Sequence, residues 1–325
     1  MRIAVVGATG EVGRTMVRVL QEQGVRPEVI RFFASSRSAG QTVKYFDRDV
    51  TVEELTPEWV PAGTFDYVIM SAGAGVSKWF APIAAERGAT VIDNSSCWRM
   101  DPEKLLVVPE INGDLLKGYH GIIANPNCST IQMVLGFYKV HEKYGIKTIV
   151  VSTYQAVSGA GRRGMDELLA QEKGSTECKK FAAPIFRNVV PQIDDFLPDG
   201  FTKEEMKMVN EPRKILRDDS IMSWPTTVRV PVLYGHSESV FVETREPFGT
   251  IEELLEVMRT QEHVVVSDQP VVTPAVDAAG TDTTFVSRVR SFDDRHFLQW
   301  NVADNVRVGA ATNAVCILLK HQELN

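Results

Sequence analysis

The stretch Arg2-Ile3-Ala4-Val5-Val6-Gly7-Ala8-Thr9-Gly10-Glu11-Val12-Gly13 opens the chain with an apolar run, breaks into glycines and continues as a helical pattern. A strand covered on both faces needs no polar alternation, and the run up to Val6 reads that way. Glycines after such a strand permit a tight turn, and the helix that follows offers orphan N–H groups to a pyrophosphate. The spacing is Gly-x-x-Gly-x-x-Gly rather than Gly-x-Gly-x-x-Gly, and a glycine run alone also fits a purely structural turn. In its strand–turn–helix setting it predicts a dinucleotide site at Gly7, Thr9, Gly10, Glu11, Val12 and Gly13.

The same grammar continues outward from that turn. Residues 29–34, 67–70, 90–92 and 121–124 read as buried strands, and 11–23 and 77–87 carry helical spacing. Alternation of this kind implies a parallel sheet with helices on both faces and ligands outside the carboxyl ends of its strands. Beyond about residue 130 the pattern changes. Helical segments at 129–144, 162–171, 203–216 and 251–260 are interspersed with strands rich in Val, Thr and Phe at 148–156, 226–233, 239–243, 283–290 and 297–302. That predicts an α+β domain on a mainly antiparallel or mixed sheet. The stretch 305–321 is helical again and is expected to return to the first domain. The expected division is therefore 1–127 plus 305–325, and 128–304.

The totals narrow the function classes. A chain of 325 residues with 44% hydrophobic and 24% charged residues has ordinary globular composition and length for two domains. A net charge of −7 argues against a general nucleic-acid binder, though a local pocket can still hold an anion. No run approaches the roughly eighteen apolar residues of a membrane span. Cysteines stand at positions 97, 128, 178 and 316 with no CxxC pair and no zinc spacing, so no metal site is expected and reduced thiols in a cytoplasmic protein are the simplest reading. The chain shows no basic-then-apolar leader pattern.

Two further segments bear on the dinucleotide. Where an NAD site usually places an acid, the second strand runs into Ser35-Ser36-Arg37-Ser38. A guanidinium flanked by the hydroxyls of Ser36 and Ser38 suits a 2′-phosphate, which favours NADP, while a solvated polar loop is the plain alternative. Ser71-Ala72-Gly73 follows the strand at 67–70, where small residues let the backbone approach a cofactor or simply make a turn.

The chemistry centres on Asn125-Pro126-Asn127-Cys128-Ser129-Thr130. Cys128 falls at the start of a predicted helix, whose N–H donors and partial positive charge favour a thiolate. Taken alone it fits a small buried hydrophobe equally well. Four other segments combine polar groups with unusual context: Asn94-Ser95-Ser96-Cys97-Trp98-Arg99, Tyr154-Gln155-Ala156-Val157-Ser158-Gly159, Glu204-Glu205-Met206-Lys207, and Arg229 to His236. Singly, Glu204 with Lys207 fits a solvated helix pair, Arg229 a structural ion pair, and His236 an ordinary core or surface histidine.

Together, in this order and over the length of the chain, these segments resemble the aspartate-semialdehyde dehydrogenase family. The resemblance ends with Asp304-Asn305-Val306-Arg307 before the last helix. It implies a Rossmann-like parallel-sheet cofactor domain and a second α+β domain for catalysis and dimerisation. It implies Cys128 as nucleophile, His236 as general acid/base, and Gln155 as the amide that orients substrate. Arg229 matches the grip on the substrate carboxylate and Glu204 the partner of its amino group. Arg99, Asn127 and Lys207 match the groups for phosphate or the acyl-phosphate end. Ser96, Ser158, Gly159 and Asn305 join the cofactor contacts. The implied reaction is reductive dephosphorylation of 4-aspartyl phosphate to aspartate semialdehyde with NADPH through a cysteine thioester, in lysine, threonine and methionine biosynthesis, by a cytoplasmic homodimer.

The chain departs from the family pattern at Gly73-Ala74-Gly75, where paired glycines are usual, at Cys97, where a small non-thiol is expected, and at Val308, where lysine is expected. An N-acetylglutamyl-phosphate reductase would share the cysteine and histidine logic. A non-catalytic NADP-binding sensor would need the glycine turn and Arg37 but neither Gln155 nor His236. A cysteine hydrolase gives no reason for a 2′-phosphate site.

Overall fold

The computed structural model describes residues 1–56, 58 and 63–325. They form two compact units, Met1–Pro126 with Ala310–Asn325, and Asn127–Gly309.

The first unit is built in chain order from β1 (Arg2–Val6), α1 (Glu11–Glu22), β2 (Val29–Ala34), β3 (Thr42–Tyr45), β4 (Arg48–Glu54), β5 (Tyr67–Met70), α2 (Ala74–Glu86), β6 (Thr90–Asp93), β7 (Leu105–Leu106), α3 (Pro109–Asn112) and β8 (Ile122–Ala124). Its eight strands lie in the order β3-β4-β2-β1-β5-β6-β8-β7. All neighbours are parallel except β3, which runs antiparallel to β4 at the edge. β1 has β2 on one side and β5 on the other, so the glycine turn after β1 sits where the strand order reverses, the usual ligand crevice of such sheets. Met16, Val19 and Leu20 of α1 share one core with Ile3, Val5 and Ile69. On the opposite face, Phe80, Ala81 and Ala84 of α2 pack with Val68, Met70 and Val91. Burying a side chain such as Phe80 contributes about 2–3 kcal/mol.

The β3–β4 hairpin is absent from the sequence reading. Its exposed Lys44, Arg48 and Asp49 belong to the charged decoration that protects a sheet edge, and they mask the alternation of Val43 and Tyr45.

The second unit contains α4 (Cys128–Tyr144), β9 (Ile146–Gln155), α5 (Arg162–Glu172), α6 (Lys203–Leu216), β10 (Met222–Arg229), β11 (His236–Thr244), α7 (Ile251–Met258), β12 (Val264–Val266), β13 (Thr284–Ser291) and β14 (His296–Ala303). Its six strands form a mixed sheet in the order β10-β9-β11-β14-β13-β12. α4, α6 and α7 cover one face. The other face presents Val150 and Tyr154 of β9 and Met222 and Trp224 of β10 as exposed side chains. The strand expected at 226–233 is shifted: β10 ends at Arg229, because Pro231 has no N–H to donate and the chain then turns toward Gly235.

The chain returns to the first unit through α8 (Asn313–Leu324), whose Ala314, Val315, Ile317 and Leu318 join the core beneath α1. The helix expected at 305–321 opens instead as a π-helical stretch, Arg307–Thr312, and runs on to Leu324. Among the described residues no helix is long and apolar enough to cross a membrane, and no group of three or more His, Cys, Asp or Glu is placed to hold a metal.

Candidate active site

In the second unit the topology gathers the chemistry at one edge of the sheet. β9 and β10 are parallel, with Gln155 paired to Arg229, so both strands end together. β11 is antiparallel to β9, with Ser237 opposite Tyr154, so His236 begins its strand where Gln155 ends its own. Gln155, Arg229 and His236, separated by up to 81 positions in sequence, are thereby neighbours in register.

Cys128 is the first residue of α4. Asn127 caps that helix: its Oδ1 accepts from the N–H groups of Ser129 and Thr130 at 3.0 and 3.3 Å. The Cys128 side chain meets His236, with Sγ 3.4 Å from Nε2. His236 is fully buried. Burial first, and then the Arg229 charge, push its pKa down to about 3, against the opposing pull of Glu204 and the Gly235 carbonyl.

Glu204 sits on α6, which starts from a capping box between Thr202 and Glu205. Its Oε1 accepts from Asn127 Nδ2 at 3.0 Å and Gln155 Nε2 at 3.3 Å, and its Oε2 accepts from Lys207 Nζ at 2.8 Å. Burial alone would raise this carboxyl. The charge and hydrogen bond of Lys207, the Asn127 amide and the Arg229 charge outweigh it and hold the pKa at about 2. Lys207 also reaches Asp194 Oδ2 at 3.1 Å. Arg229 donates from Nη1 to Ala156 O at 2.7 Å and is lowered by burial, with Glu204 and Cys128 opposing. A cavity of about 640 Å³ is lined by Gly159, Asp194, Glu204, Lys207 and Arg229 together with Lys179, Lys180 and Phe181. A buried carboxylate and cations on its wall can read both charges of a small amino acid.

Several contributors were not read from the sequence. Asp194 lies in an irregular segment, with φ of 68° and no pattern to mark it. Glu211 accepts from the Asn127 N–H at 2.7 Å. It shares a helix face with Glu204 and Lys207 at the spacing i, i+3, i+7, a signal that was available. A Cβ at Gly159 would stand 2.8 Å from Arg229 Nη1 and 3.3 Å from the His236 ring, so that glycine keeps space for both. Ser158 Oγ and Asn305 hydrogen-bond each other at 3.0–3.1 Å, and Asn305 Oδ1 accepts from Gly235 N–H at 2.9 Å.

The remaining predicted residues belong to the first unit. Gly7, Thr9, Gly10, Ser36, Ser71 and Ala72 line a cleft of about 430 Å³ at the ends of β1, β2 and β5, together with Glu54 and Trp79. Gly7 has φ of 82°, and a Cβ on Gly13 would fall 2.0 Å from Gly7 O, so this turn requires glycine at both places. α1 starts at Glu11 with no side-chain cap, leaving its first turn open to an anion. These features fit a dinucleotide phosphate group. Arg37 and Ser38 lie on the exposed turn after Ser36, and Gly73 caps α2. Val12 is half-buried on α1, and Ser96 is exposed. Arg99 is buried and donates to Asn125 O at 2.9 Å and Asn94 O at 2.8 Å.

An α/β unit of dinucleotide-binding topology, continuous in one chain with a unit holding a Cys–His pair beside a charged pocket, is the arrangement of a nicotinamide-dependent oxidoreductase. Family models match it on both units, "Semialdehyde dehydrogenase, NAD binding domain" over residues 2–119 and "Semialdehyde dehydrogenase, dimerisation domain" over 139–308. The chain belongs to the aspartate-semialdehyde dehydrogenase family. It is 47% identical to the aspartate-semialdehyde dehydrogenase of Aquifex aeolicus, covering 97% of this chain and 96% of that one. A crystal structure of aspartate semialdehyde dehydrogenase II from Vibrio cholerae complexed with ASA superposes with a TM-score of 0.94 at 42% identity, covering 99% of this chain and 98% of that one. The aspartate semialdehyde dehydrogenase of Candida albicans, crystallised with NADP, gives a TM-score of 0.77 at 25% identity over 100% and 99% of the two chains.

Proposed function

We propose that this protein interconverts 4-aspartyl phosphate and aspartate semialdehyde with NADP, through a thioester on Cys128. The observation that carries the reading is the Cys128 sulfur at hydrogen-bond distance from a buried His236, beside a pocket walled by Glu204, Lys207 and Arg229. Arg229 takes the substrate carboxylate and Glu204 its amino group, while Gln155, bonded to Glu204, orients the reacting end. Arg99, Asn127 and Lys207 are assigned to the phosphate.

When bound, the nicotinamide dinucleotide supplies the hydride acceptor for aldehyde oxidation and the donor for the reverse. The sulfur of Cys128 forms the bond to the carbonyl carbon, His236 meets the carbonyl oxygen, and phosphate displaces the sulfur from the acyl group. A donor at that oxygen contributes about 3–4 kcal/mol to such reactions. Gly7, Thr9, Gly10, Glu11, Val12, Gly13, Ser71, Ala72, Gly73 and Ser96 are assigned to the cofactor with Ser158, Gly159 and Asn305, and Ser36, Arg37 and Ser38 to the 2′-phosphate of NADP. The NADP complex of the Candida albicans relative supports that choice. A homodimer formed through the exposed sheet face of Val150, Tyr154, Met222 and Trp224 accords with the dimerisation-domain match. Among the described residues the four cysteines form no disulfide, which suits a reducing cytoplasm.

The test is NADPH formation from aspartate semialdehyde with and without phosphate, with NAD and N-acetylglutamate semialdehyde run alongside. Phosphate-dependent turnover of the first substrate is expected, and it should be lost in Cys128→Ala and strongly reduced in His236→Ala. Preference for the acetylated aldehyde, or unchanged turnover in Cys128→Ala, would sink the proposal. The free amino group read by Glu204 is what favours aspartate semialdehyde over the acetylated substrate.

A further inference from the structure

In the reaction proposed above, the cavity beside Cys128 and His236 receives phosphate or an acyl phosphate as well as a small amino acid. The groups assigned to that anion already have partners. Asn127 caps α4 with Oδ1 and donates from Nδ2 to Glu204. Arg99 donates from Nε to Asn125 O and from Nη2 to Asn94 O. Lys207 lies between two carboxylates, 2.8 Å from Glu204 Oε2 and 3.1 Å from Asp194 Oδ2. Two carboxylates facing one ammonium make that corner unfavourable for an anion unless a second cation offsets them.

The cations lining the cavity are Lys179, Lys180, Lys207 and Arg229. Lys179 pairs with Glu177, and Arg229 donates to Ala156 O and is assigned to the substrate carboxylate. Asp195 on the same wall is taken by Lys203. The Lys180 ammonium has neither an ion pair nor a hydrogen bond among the described residues. Lys179 and Lys180 also line a neighbouring cavity of about 440 Å³, and its acids are engaged as well. Asp166 pairs with Arg162, Glu177 with Lys179, and Glu167 accepts from backbone N–H groups. Resting on the dehydrogenase reading above, we infer that Lys180 is a substrate-binding residue, the cation that draws phosphate or the acyl phosphate into the cavity and offsets Glu204 and Asp194.

The side chain is exposed, but the backbone that carries it is fixed. Glu167 Oε2 on α5 accepts from the N–H groups of Lys179 and Lys180 at 2.7 and 2.6 Å, and its Oε1 from Phe181 N–H at 3.4 Å. One turn further along α5, Gln171 Oε1 accepts from Ile185 and Phe186 N–H at 2.8 and 3.0 Å. Both side chains are buried, so one helix pins residues 179–186 as a wall of the cavity. From that wall a flexible four-carbon stem presents three donors, which suits a phosphate met as a point charge. The chain carries a net charge of −7, so a local cation is what makes this cavity attractive to a dianion.

The test titrates the full-length protein with inorganic phosphate, followed by phosphorus-31 NMR without aldehyde or cofactor. Lys180→Met is expected to weaken phosphate binding about tenfold, the worth of one charged hydrogen bond, and Lys180→Arg to restore most of it. Both substitutions keep the backbone bond to Glu167, and an unchanged thermal unfolding curve confirms that the wall is intact. Lys173→Met controls for lost net charge: Lys173 is exposed at the end of α5, lines neither cavity and should bind as the parent does. Equal binding by the parent and Lys180→Met, an equal loss in Lys173→Met, or no binding by the parent overturns the inference. In the aldehyde assay, Lys180→Met should raise the KM for phosphate about tenfold and leave that for aspartate semialdehyde unchanged. A rise confined to the aldehyde would put Lys180 at the other end of the substrate and also overturn it. The two readings fail separately, since Lys180-dependent phosphate binding in a protein that turns over no aspartate semialdehyde would sink the proposed reaction and leave the anion site standing.

Discussion

Gly309 lies flush against Cys128: a Cβ built on it would stand 2.6 Å from the Cys128 Cβ and 3.0 Å from its Cα. Both obstructing atoms belong to the capped start of α4, so neither yields as the end of a flexible side chain would. Gly309→Ala is expected to cost about 1–3 kcal/mol of stability through overpacking. It should also lower kcat by at least about tenfold by displacing the sulfur. Thermal unfolding and steady-state rates measured together check this; full activity with unchanged stability would mean that the helix start gives way freely.

Lys207 is the main counter-charge of buried Glu204. Lys207→Met is expected to destabilise by about 2–3 kcal/mol, below the full value for a buried pair because the lysine is partly exposed. The pH dependence has a definite sign. Glu204 is lowered from 4.5 to about 2, so its contribution is complete above pH 4.5 and disappears as pH falls toward 2. Denaturant unfolding at pH 7, 4 and 2.5 should therefore show the mutant losing less on acidification than the parent. Parallel curves would contradict the pairing.

Glu238 is a different case, a carboxyl on β11 with no exposure. Burial pushes its pKa well up, against the weaker pull of the Gln132 and Asn301 amides. Neither carboxyl oxygen has a hydrogen bond of good geometry among the described residues. An acid raised in the folded state favours folding below its unfolded pKa and loses that contribution as pH rises through the folded value. Glu238→Gln should accordingly raise Tm at pH 8 by a few degrees, about 1 kcal/mol or more, and by less at pH 4. A fall in Tm at pH 8 would place an essential charge there instead.

The exposed sheet face supplies a test of assembly. Trp224 is 56% exposed beside Met222 on β10, and Val150 and Tyr154 lie on neighbouring β9. Trp224→Asp is expected to weaken the homodimer by about tenfold or more, since buried aromatics carry a large share of interface energy. Sedimentation at several concentrations reads the outcome, and an unaltered association constant would move the interface elsewhere.

Cofactor choice depends on the turn after β2. Arg37→Ala should raise the KM for NADP about ten- to a hundredfold, the worth of a charged hydrogen-bond pair, and leave that for NAD nearly unchanged. Equal effects on both cofactors would remove Arg37 from the 2′-phosphate. Glu54 also lines the cleft, so Glu54→Ala is the matching control for an acid that favours NAD.

The sequence by itself determined the elements whose signals are local. The unbroken apolar run before Gly7 marked a doubly covered strand, Gly7 and Gly13 marked a turn that admits no side chain, and Asn127 before Cys128 marked a helix start. Each depends on a few adjacent residues, and the structure places each where those residues put it. Motif order along the chain then pointed to the family before any coordinates. The charged β3–β4 edge was hidden because its polar residues obey solvation rather than strand pattern. Only tertiary structure set Gln155 and Arg229 in register, because strand pairing joins residues far apart in sequence. It alone brought Asp194 to Lys207 and Gly309 to Cys128. The hydrogen bond from Ala156 N–H to His236 Nδ1 was likewise beyond any motif, since it exists only once β9 has ended at Gln155 beside the start of β11.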